Sequence, residues 1–93
     1  MDRVFGYALR VIDGDTFELD VDSVSRGNQY EYNDVEKVRI RGIDAPELDT
    51  SAGRAAKARL QNEIQGQRVE VDVFARDDYG RLVGNYSLSR RHR

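Results

Sequence analysis

The sequence predicts a mainly β, α+β domain: a five-stranded barrel with one helix between the third and fourth strands. Three observations carry that expectation. Apolar and polar residues alternate in five short stretches, and one stretch between the third and fourth changes to helical spacing. The chain is 93 residues long, the length of one domain with one core. Its hydrophobic fraction of 39%, gathered in short runs, argues for a folded domain rather than a disordered one. Residues 1–93 are therefore read as a single domain without repeats, low-complexity segments or linkers.

In the first strand Tyr7, Leu9 and Val11 are expected on one face, with Ala8, Arg10 and Ile12 on the other. Asp13-Gly14 then reads as a tight hairpin turn in which glycine accepts positive φ. Phe17, Leu19 and Val21 alternate with Glu18, Asp20 and Asp22 in the second strand. The connection from Ser23 to Glu36, containing Gly27-Asn28, reads as a long mobile hairpin tip. Val38 and Ile40 alternate with Arg39 and Arg41 in the third strand. Ala52, Ala56, Leu60 and Ile64 then follow i, i+4 spacing, which predicts a helix with Thr50 or Ser51 as N-cap and Gly66 as C-cap. Arg54, Lys57 and Arg59 occupy its other faces. Val69, Val71 and Val73 mark the fourth strand, and Leu82 to Leu88 the fifth. Three strands, a helix and two strands is the order of an OB-type barrel. A half-open sandwich is the other arrangement that this order allows.

Composition narrows the chemistry. With no cysteine, neither disulfides nor thiolate metal sites are available. The one histidine, His92, sits in the basic run Arg90-Arg91-His92-Arg93, so imidazole catalysis is not expected and any metal must be held by oxygen. No stretch reaches the roughly 18 apolar residues of a membrane span, and the N-terminus lacks a signal-peptide pattern. The net charge of −2 is unusual for a protein that binds nucleic acid by charge alone. The signs are nevertheless segregated. Arg26 is the only basic residue from Asp13 to Glu36, whereas Lys37, Arg39 and Arg41 follow in quick succession. An acidic cluster beside an arginine cluster suits a metal-plus-phosphate site.

Three segments carry candidate chemistry. In Ile12-Asp13-Gly14-Asp15-Thr16-Phe17, Asp15 offers a hard carboxylate oxygen at the mouth of the barrel, although taken alone the segment is an ordinary acidic turn. In Val38-Arg39-Ile40-Arg41-Gly42-Ile43-Asp44-Ala45-Pro46-Glu47, a strand ended by proline brings together Arg39, a second carboxylate in Asp44, the carbonyl of Ala45, and Glu47 as an acceptor for a water proton. In Asp77-Asp78-Tyr79-Gly80-Arg81, a hairpin loop with Gly80 at its tight position presents Arg81, a planar and permanently charged phosphate donor.

Together these segments resemble the thermonuclease family, the relatives of staphylococcal nuclease. The match runs from about Val11 to Tyr86, with the motifs in family order and the helix in its family place. The resemblance implies a calcium-dependent nuclease that hydrolyses phosphodiester bonds of DNA and RNA. It implies that Asp15, Asp44 and the Ala45 carbonyl bind calcium and that Arg39, Glu47 and Arg81 form the catalytic set. Tyr79, with Arg39 and Arg81, would lie against the bound nucleotide phosphate. It implies nucleic acid as the partner; the residues themselves point to no membrane and make no obligate protein partner evident. The residues leave the compartment open, while relatives are often secreted.

The departures from the family pattern are specific. Asp78 stands where relatives often carry a basic residue, which lowers the local positive potential. Ala45 stands where threonine is common, a minor change because only its backbone oxygen is needed. Longer relatives continue with further helical structure, whereas nothing after Leu88 is apolar and this sequence ends at Arg93. A non-catalytic OB-type module that binds nucleic acid or protein is the alternative, and a core from a longer enzyme is a third reading.

Overall fold

A strand with one apolar face needs cover, and a sheet can supply it by curling until that face covers itself. The computed structural model, which describes residues 1–89, takes this solution. It contains β1 (Asp2–Asp13), β2 (Thr16–Val24), β3 (Val35–Ile40), α1 (Ser51–Ile64), β4 (Arg68–Arg76) and β5 (Leu82–Leu88). The strands close in the order β1-β2-β3-β5-β4, with β4 returning to β1. The β3–β5 pairing is parallel and the others antiparallel. This is the OB-type barrel rather than the half-open sandwich. Arg90, Arg91, His92 and Arg93 lie outside the described residues.

Inside the barrel Phe17, Leu19, Val38, Val69, Val71 and Leu82 are wholly buried, as their alternation predicts. Tyr86 meets the Phe17 ring edge-on, with centroids 6.0 Å apart. The first strand departs from strict alternation. Ala8 pairs with Leu19 and Arg10 with Glu18, leaving Leu9 as the extra residue of a bulge. The phase of the strand therefore shifts. Ala8 and Val11, expected on opposite faces, are both buried, while Tyr7 and Leu9, expected on one face with Val11, are exposed. The backbone at the bulge is paired by the end of α1. Gly66 N–H donates to Ala8 O (2.8 Å), Ala8 N–H to Gln67 O (3.0 Å), and Val11 N–H to the Gln65 side-chain oxygen (3.1 Å).

Thr50 is the N-cap of α1, its hydroxyl accepting from Gly53 N–H at 3.0 Å. Gln65 is the C-cap, one residue earlier than the expected Gly66, which follows it with a φ of 80°. The buried face comprises Gly53, Leu60 and Ile64 with Ala56 half-buried, whereas Ala52, assigned to that face by its spacing, is exposed. Gly53 takes the inward position because a Cβ there would lie 1.8 Å from the Glu47 carbonyl oxygen.

The β2–β3 connection, expected as a mobile tip from Ser23 to Glu36, spans residues 25–34 and is tied down. The Asp2 carboxylate accepts from Gln29 N–H (2.8 Å), Tyr30 N–H (2.9 Å) and the Tyr32 hydroxyl (2.6 Å). Burial pushes the Asp2 carboxyl up, but these bonds outweigh it and hold it below the usual range.

Candidate active site

The β1–β2 turn brings the first acidic residues to one end of the barrel. Its glycine is required for packing rather than for positive φ, because a Cβ on Gly14 would lie 2.7 Å from that of Ala56 and 2.8 Å from that of Ala45. The turn is thus wedged between α1 and the segment that follows β3. Asp15 O accepts from Ile40 N–H at 2.8 Å, which locks the turn to β3. The Asp15 carboxylate is buried and accepts from the Thr16 hydroxyl (2.9 Å) and Ala45 N–H (3.0 Å). Burial pushes this carboxyl up, yet its hydrogen bonds and the Arg39 guanidinium hold it below the usual range. Its neighbour Asp13 is pushed up, first by burial and then by the Asp15 carboxylate.

Arg39 projects from β3 toward these carboxylates. Its Nη1 lies 3.3 Å from Asp15 Oδ2 and donates to the carbonyls of Ile40 and Ile43, while its Nη2 meets Asp44 Oδ1 at 2.6 Å. Gly42, with a φ of 81°, turns the chain at the end of β3. The Asp44 side chain is 96% exposed. Glu47 is held through its backbone, since its carbonyl accepts from both Thr50 N–H (3.1 Å) and the Thr50 hydroxyl (2.6 Å). Gly53 completes this seat beneath Glu47. Gly53→Ala is therefore expected to destabilise the protein by about 1–3 kcal/mol through overpacking. In an open helix the same change gains about 1 kcal/mol. Chemical denaturation checks the sign, and a gain in stability would show that the seat is not tight.

Arg81 arrives from the β4–β5 loop. Asp77 organises that loop, accepting from Tyr79 N–H and Arg81 N–H, each at 2.9 Å, and from Arg81 Nε at 2.7 Å. Gly80 has a φ of 84°, which is the tight position expected of it.

Asp13, Asp15, Arg39, Asp44, Ala45, Pro46, Glu47, Leu48 and Arg81 line one polar cavity of about 360 Å³. A second, more apolar cavity of about 290 Å³ lies between α1 and the barrel, sharing Asp44, Ala45 and Pro46 as a wall. The sequence profile of the family described as staphylococcal nuclease homologue matches residues 37–92. The chain belongs to the staphylococcal nuclease family.

Three relatives of this staphylococcal nuclease homologue carry nuclease names. It is 35% identical over 81 residues to an "Uncharacterized endonuclease" of Escherichia coli O157:H7, covering 87% of this chain and 46% of that protein. It is 45% identical over 49 residues to a "Probable staphylococcal-like nuclease" of Oryza sativa subsp. japonica, covering 53% of this chain and 15% of that protein. A "Staphylococcal-like nuclease" of Arabidopsis thaliana is 37% identical over 49 residues, again 53% of this chain and 15% of the relative. The chain thus spans less than half the length of these curated relatives.

Of the site residues expected from the sequence of this staphylococcal nuclease homologue, Asp15, Arg39, Asp44, Ala45, Glu47 and Arg81 share the polar cavity, and Tyr79 does not line it. Tyr79 is 85% exposed, with the Arg81 guanidinium 5.3 Å from its ring centroid. Two residues read only as turn formers also belong to the site. Asp13 lines the cavity, and Asp77 orients Arg81. An aspartate followed two residues later by the apex of a turn was the available signal for Asp77.

The acidic side chains and backbone carbonyls of the cavity offer only oxygen donors, a set suited to a hard divalent cation such as calcium. The adjacent Asp13 and Asp15 carboxyls are a place where such a charge relieves repulsion. Among the described residues, no three His, Cys, Asp or Glu side chains form a cage alone. A cation here must also draw on backbone oxygen, water or phosphate.

Proposed function

We propose that the domain is a calcium-dependent nuclease that hydrolyses phosphodiester bonds of DNA and RNA. The observation that carries this reading is the convergence of Asp15, Arg39, Asp44, Ala45, Glu47 and Arg81 on one polar cavity. Hydrolysis places extra negative charge on the phosphate oxygens, and a chain without cysteine and with one histidine meets that charge with arginine and a metal. Asp15, Asp44 and the Ala45 carbonyl are the residues that would hold calcium, which when bound supplies positive charge at the phosphate. Arg39 and Arg81 bind the phosphate and stabilise its developing charge, and Tyr79 lies at the edge of the bound nucleotide. Carboxylates already orient both guanidinium groups: Asp15 and Asp44 for Arg39, and Asp77 for Arg81. Glu47 accepts a proton from the attacking water or orients it toward phosphorus.

The same internal ion pairs, with the net charge of −2, favour a second reading, a non-catalytic OB-type module that binds nucleic acid or protein. Incubation with plasmid DNA and with single-stranded RNA in calcium separates the two, and both substrates are expected to be degraded. A thermal melt with calcium and a nucleoside 3′,5′-bisphosphate is the companion measurement. At about a hundred times Kd the linkage is worth roughly 2.7 kcal/mol, which raises the midpoint of a domain this size by on the order of 10 °C. The Asp15→Ala and Arg39→Ala variants should lose that rise. Intact substrates together with an unmoved midpoint would leave the non-catalytic module as the better reading.

A further inference from the structure

Behind the β4–β5 loop, outside the polar cavity, lies a charged cluster with no part in the chemistry above. Arg76, the last residue of β4, faces Glu36 of β3 through two hydrogen bonds: Nη1 to Oε1 at 2.9 Å and Nη2 to Oε2 at 3.2 Å. The Glu36 side chain is only 4% exposed and also accepts from Asn33 N–H at 2.8 Å. The same guanidinium donates to Glu31 O (3.2 Å) in the β2–β3 loop and to Gly80 O (2.9 Å) in the β4–β5 loop. The Tyr32 ring flanks it, with its centroid 5.8 Å away.

The bond to Gly80 joins this cluster to the site. Gly80 O and Arg81 N–H are the two ends of one peptide unit. Arg76 holds the oxygen at 2.9 Å, and Asp77 Oδ1 holds the N–H at 2.9 Å. A peptide plane held at both ends cannot rotate, and its orientation sets the direction in which Arg81 leaves the backbone. The anchor is itself fixed, because moving Arg76 away would strand the buried Glu36 carboxylate. Only a planar fork with five donors reaches Glu36, Glu31 O and Gly80 O together, whereas an ammonium group is a single point.

We propose that Arg76 is a positioning residue, clamped by Glu36, that fixes the Gly80–Arg81 peptide and so aims Arg81 into the cavity. The proposal rests on the reading of Arg81 as a phosphate ligand, and its test keeps the two apart. Arg76→Lys retains a cation beside Glu36 and removes the fork. Amide hydrogen exchange at Arg81 is expected to quicken by about ten-fold while the core amide of Val71 is unchanged, a readout that needs no activity. In turnover of plasmid DNA with calcium, kcat is expected to fall by about ten-fold in the otherwise native protein and by less than about two-fold in an Arg81→Ala background. Glu36→Gln, which loosens the clamp without touching the loop, should act in the same direction at both readouts. Unchanged exchange at Arg81, or an equal loss of turnover with and without Arg81, overturns the proposal. If the native protein cleaves nothing, the phosphate reading fails instead, and the exchange rates still decide whether Arg76 clamps the loop.

Discussion

Excess calcium chelator is expected to stop hydrolysis of plasmid DNA outright, and added calcium to restore it. Asp15, the proposed central ligand, is buried yet held below the usual carboxylate range, so it remains an anion at neutral pH. Asp13 beside it is pushed the other way, and together they concentrate acidic oxygen at the floor of the cavity. With no positive ion there, a phosphodiester would bring its own charge against Asp13, Asp15 and Asp44. Arg39 cannot offset all three, since Asp15 and Asp44 already engage it. Magnesium is expected to bind without supporting turnover, because it demands stricter octahedral geometry than carboxylates on a turn and a loop supply. Initial rates across a calcium titration check this, with Asp15→Ala as the ligand variant. Cleavage that continues undiminished in excess chelator would remove Asp15 and Asp44 from the assignment.

Replacing Arg39, Glu47 or Arg81 with alanine should each lower kcat by on the order of 10²-fold or more, equivalent to roughly 2.7 kcal/mol of transition-state stabilisation. Arg41→Ala is the control. It lies two residues beyond Arg39, but its guanidinium stacks 3.9 Å from the centroid of Phe74 and does not line the cavity. Its removal should cost much less. Because Arg39→Ala also deprives the buried Asp15 of a partner, a thermal melt must accompany the rates, and the variant should still unfold cooperatively. Equal losses at Arg41 and Arg39 would mean that the phosphate had been assigned to the wrong arginine.

Most of the barrel was legible because one buried face imposes a period of two on each strand, and the runs Phe17–Leu19, Val38–Ile40 and Val69–Val73 obey it. The first strand misled because a bulge at Leu9 breaks that period, and the residues that pair its backbone, Gln65 to Gln67, are distant in sequence. Gly14 was correctly placed in a turn but for the wrong reason, since its constraint comes from Ala45 and Ala56 and no local pattern contains them. The site was legible as three motifs because each carries its charged groups on a short segment. Asp13 and Asp77 escaped because aspartate in a turn is ordinary, and only the folded chain distinguishes them from solvated turn residues. The anchoring of the β2–β3 connection by Asp2 joins residues far apart in sequence, and polar composition alone suggested freedom instead.

The parallel pairing of β3 with β5 has a consequence for how the site comes into being. Arg39 stands beside Val83 in that ladder, and Arg81 immediately precedes its first pair, Val38 with Leu82. The two arginines therefore come to one cavity through the seam that joins β3 to the last strand. Such a long-range contact carries a large loop-closure cost and forms late relative to local hairpins. On the proposed reading, a growing or half-folded chain can hold either arginine, but never both on one phosphate. Competence at this site is thus a property of the finished barrel, gained and lost with its closure rather than assembled in stages.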